Sequence, residues 1–122
     1  DGGVEKTIEY AMLTNEIYKG WSGMKASEYK KLKGLRKESL RDNMTDIEVA
    51  FADLGEIATR ELVKVRKPVG LEQNKEIAKI GGRTAKVARD ELEKNLGISI
   101  ISKENELPYK YTDDSFMIET KE

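Results

Sequence analysis

Apolar positions recur most regularly between Met44 and Lys67. Ile47, Phe51, Leu54, Ala58, Leu62 and Val65 follow at three- and four-residue steps, the stripe of an amphipathic helix. Both ends of this stretch carry signals. Thr45-Asp46-Ile47-Glu48 is a capping box, in which the Thr hydroxyl accepts the Glu48 N–H and the Glu48 carboxylate reaches back to the Thr45 N–H. Asp46 and Glu48 complement the positive end of the helix dipole, and Lys64, Arg66 and Lys67 the negative end. Pro68 disfavours helix at Lys67 and stops the run. The pattern predicts a central helix of about six turns, which the other segments cover.

The chain before it is also helical in pattern. Val4 to Tyr18 puts Ile8, Met12 or Leu13, and Ile17 at helical spacing, and Gly20-Trp21-Ser22-Gly23 is a turn that ends it. Ser27 is placed to cap a short helix through Leu32, with Gly34 at the position after its C-cap. Leu35 to Met44 is one further turn or a hinge, packing Leu35, Leu40 and Met44 inward.

After Val69-Gly70 a second long helix begins near Leu71 or Glu72. Its stripe of Ile77, Ile80, Thr84, Ala88 and Leu92 runs through Gly81-Gly82 without losing phase. Each interior glycine costs about 1 kcal/mol relative to Ala, so two helices joined at the glycines are one reading. The other is a continuous or slightly kinked helix packed antiparallel on the central one. Ala78, Gly81, Ala85 and Ala88 favour it, because a ridge of small residues lets a second backbone approach. Gly97 ends the helix. Ile98-Ser99-Ile100-Ile101-Ser102 then has strand composition, with Phe116-Met117-Ile118 or a second copy of itself as its candidate partners.

The expected fold is therefore mainly α: four to five helices, two of them long and antiparallel, with a short extended segment near the C-terminus. Residues 1–107 are expected to form a single helical domain and 108–122 an acidic tail. At 122 residues the chain supports one modest core. No apolar run approaches the roughly 20 residues needed to cross a bilayer, and nothing resembles a signal peptide. The chain begins at Asp1-Gly2-Gly3 rather than Met, which leads us to expect a fragment of a longer protein.

Charge adds what hydropathy does not. The net charge of −1 conceals two blocks of +6, over residues 19–41 and 60–89, between acidic blocks. One reading is solvated helix faces and dipole-matched ends; the other is a basic surface facing a polyanion. Lys75, Lys79, Arg83 and Lys86 stand at steps of four, four and three, so they form a ridge opposite the apolar stripe. They are the primary candidates for contact with a nucleic acid or a partner, against an ordinary wet helix face. Trp21 and Tyr29, with Lys30, Lys31 and Lys33, are secondary candidates. Aromatics beside lysines can stack the bases of a single strand, and equally can plug the end of a bundle.

Catalytic signals are weak. Without His or Cys the chain cannot build a Ser-His-Asp or Cys-His arrangement, or a thiolate or imidazole metal site. Asp46, Glu48, Asp53 and Glu56 are accounted for by capping and by an exposed helix face. Gly81-Gly82-Arg83-Thr84-Ala85-Lys86 lacks the phosphate-loop spacing and follows helix rather than strand. No catalytic residue, metal, cofactor or small-molecule substrate is assigned.

Tyr29-Lys30-Lys31-Leu32-Lys33-Gly34-Leu35, Leu40-Arg41-Asp42-Asn43-Met44-Thr45 and Leu54-Gly55-Glu56-Ile57-Ala58-Thr59 resemble the carboxy-terminal half of the DNA-damage-inducible protein D family and its relatives among BRO-type phage antirepressors. The resemblance continues through Asn74, Gly81-Gly82, Ala88-Arg89-Asp90-Glu91-Leu92-Glu93 and Gly97, and covers roughly residues 18–107. It implies a non-enzymatic bacterial protein of the SOS response, cytoplasmic, that modulates recombinase filaments on single-stranded DNA. The alternative it implies is a structural dimerisation module, attached to the DNA-binding BRO domain of an antirepressor.

Overall fold

The computed structural model describes residues 2–111, with side chains from residue 9 onward. The fold is mainly α, with α1 (Gly2–Ser22), α2 (Ala26–Leu32), a 3₁₀ turn (Arg41–Asn43), α3 (Asp46–Arg66) and α4 (Gly70–Leu96). The central helix is α3, and its capping box forms as its sequence predicts. Thr45 Oγ1 accepts the Glu48 N–H at 3.2 Å, and Glu48 Oε1 accepts the Thr45 N–H at 2.8 Å. At the other end Lys67 takes a left-handed conformation (φ 49°), and its N–H closes on the Val63 carbonyl. The short second helix begins one residue before the expected Ser27 cap. Lys25 is its N-cap, its N–H held by the Glu28 carboxylate at 2.8 Å. Leu35 to Met44 is a loop closed by the 3₁₀ turn.

Helix α4 is continuous through Gly81-Gly82, and the geometry supplies the reason. The two glycines point about 100° apart around the axis, and each admits a different neighbour. A Cβ on Gly81 would collide with Thr59 and lie 2.9 Å from the Gly55 carbonyl oxygen on α3. A Cβ on Gly82 would lie 2.6 Å from the Ile17 carbonyl oxygen and 2.9 Å from Gly20 Cα on α1. Close helix approach thus offsets the propensity cost. Opposed pairs give the directions: Gly55 with Ala85 and Thr59 with Gly81 make α3 and α4 antiparallel, and Gly55 with Ile17 and Phe51 with Trp21 set α1 antiparallel to α3. The result is a three-helix bundle, with α2 and the 3₁₀ turn closing one end.

The buried face of α3 differs from the expected stripe. Phe51 of that stripe is buried, with Glu48, Ala52 and Gly55 beside it, whereas Ile47, Leu54, Ala58 and Leu62 are half-buried and Val65 is 80% exposed. Contact distance decides this face: the helices meet where α3 is smallest, at Ala52, Gly55 and Thr59, so larger apolar side chains are displaced to the flanks. On α4 the buried residues are likewise Ile77, Ala78, Gly81, Gly82 and Ala85, and Thr84 is exposed. Trp21, Tyr29, Tyr18 and Phe51 fill the closed end, with Trp21 stacked on Phe51 at 6.3 Å and 5.9 Å from the Tyr29 ring.

Past Gly97 (φ 80°) the chain is irregular, and no strand forms among the described residues. The expected strand partner Phe116-Met117-Ile118 lies outside them. Ile100 enters the core, and the segment from 98 to 107 crosses the closed end as a strap. Packing continues beyond the expected boundary at 107. The Tyr109 hydroxyl donates to Glu38 at 2.9 Å, Tyr111 donates to the same carboxylate, and Arg36 lies over the Tyr111 ring.

Candidate functional site

Lys75, Lys79, Arg83 and Lys86 share one side of α4, which flanks the buried Gly82 and its contact with α1; Arg83 is exposed and the three lysines are half-buried. Two of them have acidic neighbours: Lys79 pairs with Glu76 at 3.5 Å and Lys86 with Asp90 at 2.6 Å, with Lys side chains 45% and 40% exposed. Such exposed pairs are worth about 0.2–1 kcal/mol, which leaves the cations open to exchange for a phosphate. Lys75 and Arg83 make no ion pair among the described residues, nor do Arg66 and Lys67 at the tip of the α3–α4 hairpin. Between residues 64 and 86 the hairpin carries seven cations and two acids.

The secondary candidates fare differently. Trp21 and Tyr29 are wholly buried and Lys33 is 1% exposed, so none of the three can stack or contact a strand. Of this group only Lys30 and Lys31 reach the surface, on α2. The two basic blocks are separated only in part. Tyr29 and Lys33 bond to Glu48 in the first turn of α3, and Lys64 lies sixteen residues further on, about 24 Å along the axis. The second block runs along α4 from the hairpin tip to Arg89, which donates to the Trp21 carbonyl at 2.9 Å, so the two blocks meet beside the closed end.

Lys33 and Glu48 instead form a polar centre that sequence reasoning missed. Both are buried, with Nζ 2.9 Å from Oε1. Lys33 also donates to the carbonyls of Ser102 and Glu104, at 2.7 and 2.9 Å, which uses all three of its protons. Glu48 accepts from Lys33 and the Thr45 N–H on one oxygen, and from the Tyr29 hydroxyl (2.5 Å) and the Ser102 N–H (3.0 Å) on the other. Burial pushes the Glu48 carboxyl up, but these hydrogen bonds outweigh it and hold the group below the usual carboxylate range. Burial, with the bond to Glu48, pushes the Tyr29 phenol up, so it stays protonated. Every valence is spent on this chain's own atoms, which makes the centre a clamp on the strap. The signal that could have found it is the small-residue face of α3, which leads from Gly55 and Ala52 back to Glu48.

A second surface feature is an apolar groove between residues 10–17 of α1 and the second half of α3. It has a volume of about 260 Å³ and is lined by Tyr10, Leu13, Thr14 and Ile17 against Glu56, Thr59, Arg60 and Val63. Glu56 is partly engaged by Arg41 at 3.5 Å, and Arg60 is exposed without an ion pair among the described residues. No group of three or more acidic side chains that could hold a metal occurs among the described residues. No helix among them is long and apolar enough to cross a membrane. Comparison of the chain with protein-family models, with curated proteins and with solved structures gives no match.

Proposed function

We propose that this chain is a non-catalytic interaction domain of a bacterial DNA-damage response protein. It engages single-stranded DNA, or a recombinase filament coating it, in the cytoplasm. The observation that carries the reading is the α3–α4 hairpin, where Arg66, Lys67, Lys75 and Arg83 are unpaired among the described residues and Lys79 and Lys86 hold only exposed partners. Cations spaced along one helix face match a backbone of regularly spaced phosphates, and such contacts position a protein without reading sequence. The resemblance to the DNA-damage-inducible protein D family supports the choice of polyanion.

Fluorescence anisotropy on labelled oligonucleotides tests it. Each charge reversal at Lys75, Lys79, Arg83 or Lys86 lowers affinity to a similar degree whatever the base sequence. Losing one contact flattens the dependence of log affinity on log salt by about 0.7. The competing reading, a dimerisation module of an antirepressor-type protein, expects a dimer that binds no DNA, so the loss of DNA binding and not the dimer itself separates the two. A quadruple Glu variant that folds and binds DNA and filaments as the parent does would refute the hairpin as the contact.

A further inference from the structure

The α1–α3 groove lies apart from the basic ridge and serves no role in the polyanion reading. Tyr10 lines it yet is 71% exposed, so its ring stands on the rim rather than filling its own groove. Ile57, a neighbour of Arg60 at three-residue spacing, is 46% exposed and extends the apolar surface along α3. Glu56 and Arg60 are one turn apart on α3, and both face the groove.

We propose that the groove seats a second copy of this chain, paired about a two-fold axis that passes between Glu56 and Arg60. In an isologous interface, if residue i meets residue j, then j meets i. An acid and a base one turn apart on one helix are self-complementary under that operation: Arg60 of each copy meets Glu56 of the other, and Tyr10 enters the partner groove. Neither an acidic nor a basic partner segment matches both charges so well. The pairing leaves Lys75, Lys79, Arg83 and Lys86 outside the interface, so it stands or falls independently of DNA binding.

Sedimentation of the full chain across the micromolar range tests this. The parent dimerises. Arg60→Glu, which sets four carboxylates around the axis, raises the dissociation constant on the order of tenfold or more. Glu56→Arg does the same, and the double swap Glu56→Arg/Arg60→Glu restores the dimer, which loss of folding in either single variant could not mimic. A photoreactive group at position 10 links the two copies. A parent that stays monomeric throughout overturns the proposal, as does a dimer indifferent to Arg60→Glu or a swap that does not rescue. A cross-link from position 10 to residues 112–122 of the same chain overturns it in favour of that segment as the occupant.

Discussion

Lys33→Met tests whether the buried clamp organises the closed end of the bundle. Methionine keeps most of the unbranched stem, so packing is largely retained while three donors and a charge are lost. Glu48 then stays buried with its bonds from Tyr29, Thr45 and Ser102 but without its counter-ion, and the carbonyls of Ser102 and Glu104 lose their donor. Removing one partner of a buried pair costs about 3–5 kcal/mol. For a domain whose whole stability is about 5–15 kcal/mol, that is a large fraction. With a urea slope of roughly 2 kcal/mol per molar, the unfolding midpoint falls by about 2 M. Trp21 is the one tryptophan in the chain and is wholly buried beside Tyr29, so its emission follows the transition. Hydrogen exchange localises the effect: the Ser102 and Glu106 amides, bonded to Glu48 and Asn43, lose protection before those of α4. The pH dependence has a fixed sign. The folded carboxyl of Glu48 is held below its unfolded value, so its contribution is complete above the unfolded value, about 4.3, and is lost as pH falls through the folded one. Glu48→Gln removes that part of the acid sensitivity. A Lys33→Met protein with the parental midpoint and unchanged exchange at Ser102 would refute the clamp.

Two further substitutions probe the helix contacts. Gly82→Ala should destabilise by about 1–3 kcal/mol, although helix propensity alone favours Ala by about 1 kcal/mol, because the new Cβ meets backbone at Ile17 and Gly20; a thermal midpoint at or above the parent's would sink the close-approach argument. Thr45→Ala should cost on the order of 1 kcal/mol, since the Glu48 N–H loses its 3.2 Å acceptor; an unchanged denaturation midpoint would show the cap contributes nothing.

What was legible in the sequence divides along a physical line. Features that one helix makes by itself, such as the Thr45 cap, the Gly97 stop and the phase kept through Gly81-Gly82, follow from spacing and local chemistry. The basic ridge belongs to this class. Its four residues need only a continuous α4 to share a face, which is why its geometry could be read in advance. The orientation of α3 was not legible, because hydrophobicity weights Leu54 and Val65 above Ala52 and Gly55, whereas close packing of three helices weights them in reverse. Trp21 and Tyr29 were ambiguous for a related reason: aromatics beside lysines look alike at a stacking surface and at the capped end of a bundle.

The Lys33–Glu48 centre was invisible because it is assembled from residues 29, 33, 45, 48, 102 and 104, which no local pattern connects. Its assembly has a consequence for where function can reside. A buried pair with every valence spent cannot turn outward to a ligand without first unpairing, which costs several kcal/mol. The strap it holds also covers the closed end of the bundle. On the readings proposed above, contact with a partner uses the basic side of α4 and the α1–α3 groove, neither of which the strap covers. On those readings the ridge meets a polyanion and the groove a second copy. These surfaces lie on different sides of the bundle, so a dimer formed through the groove would carry two basic ridges. Two ridges on one strand bind as linked modules, with an avidity beyond either alone when the strand spans both. The Arg60→Glu variant, monomeric but with its ridge intact, should then lose more affinity for a long single strand than for a short one. Equal losses on both lengths would separate self-association from DNA binding altogether.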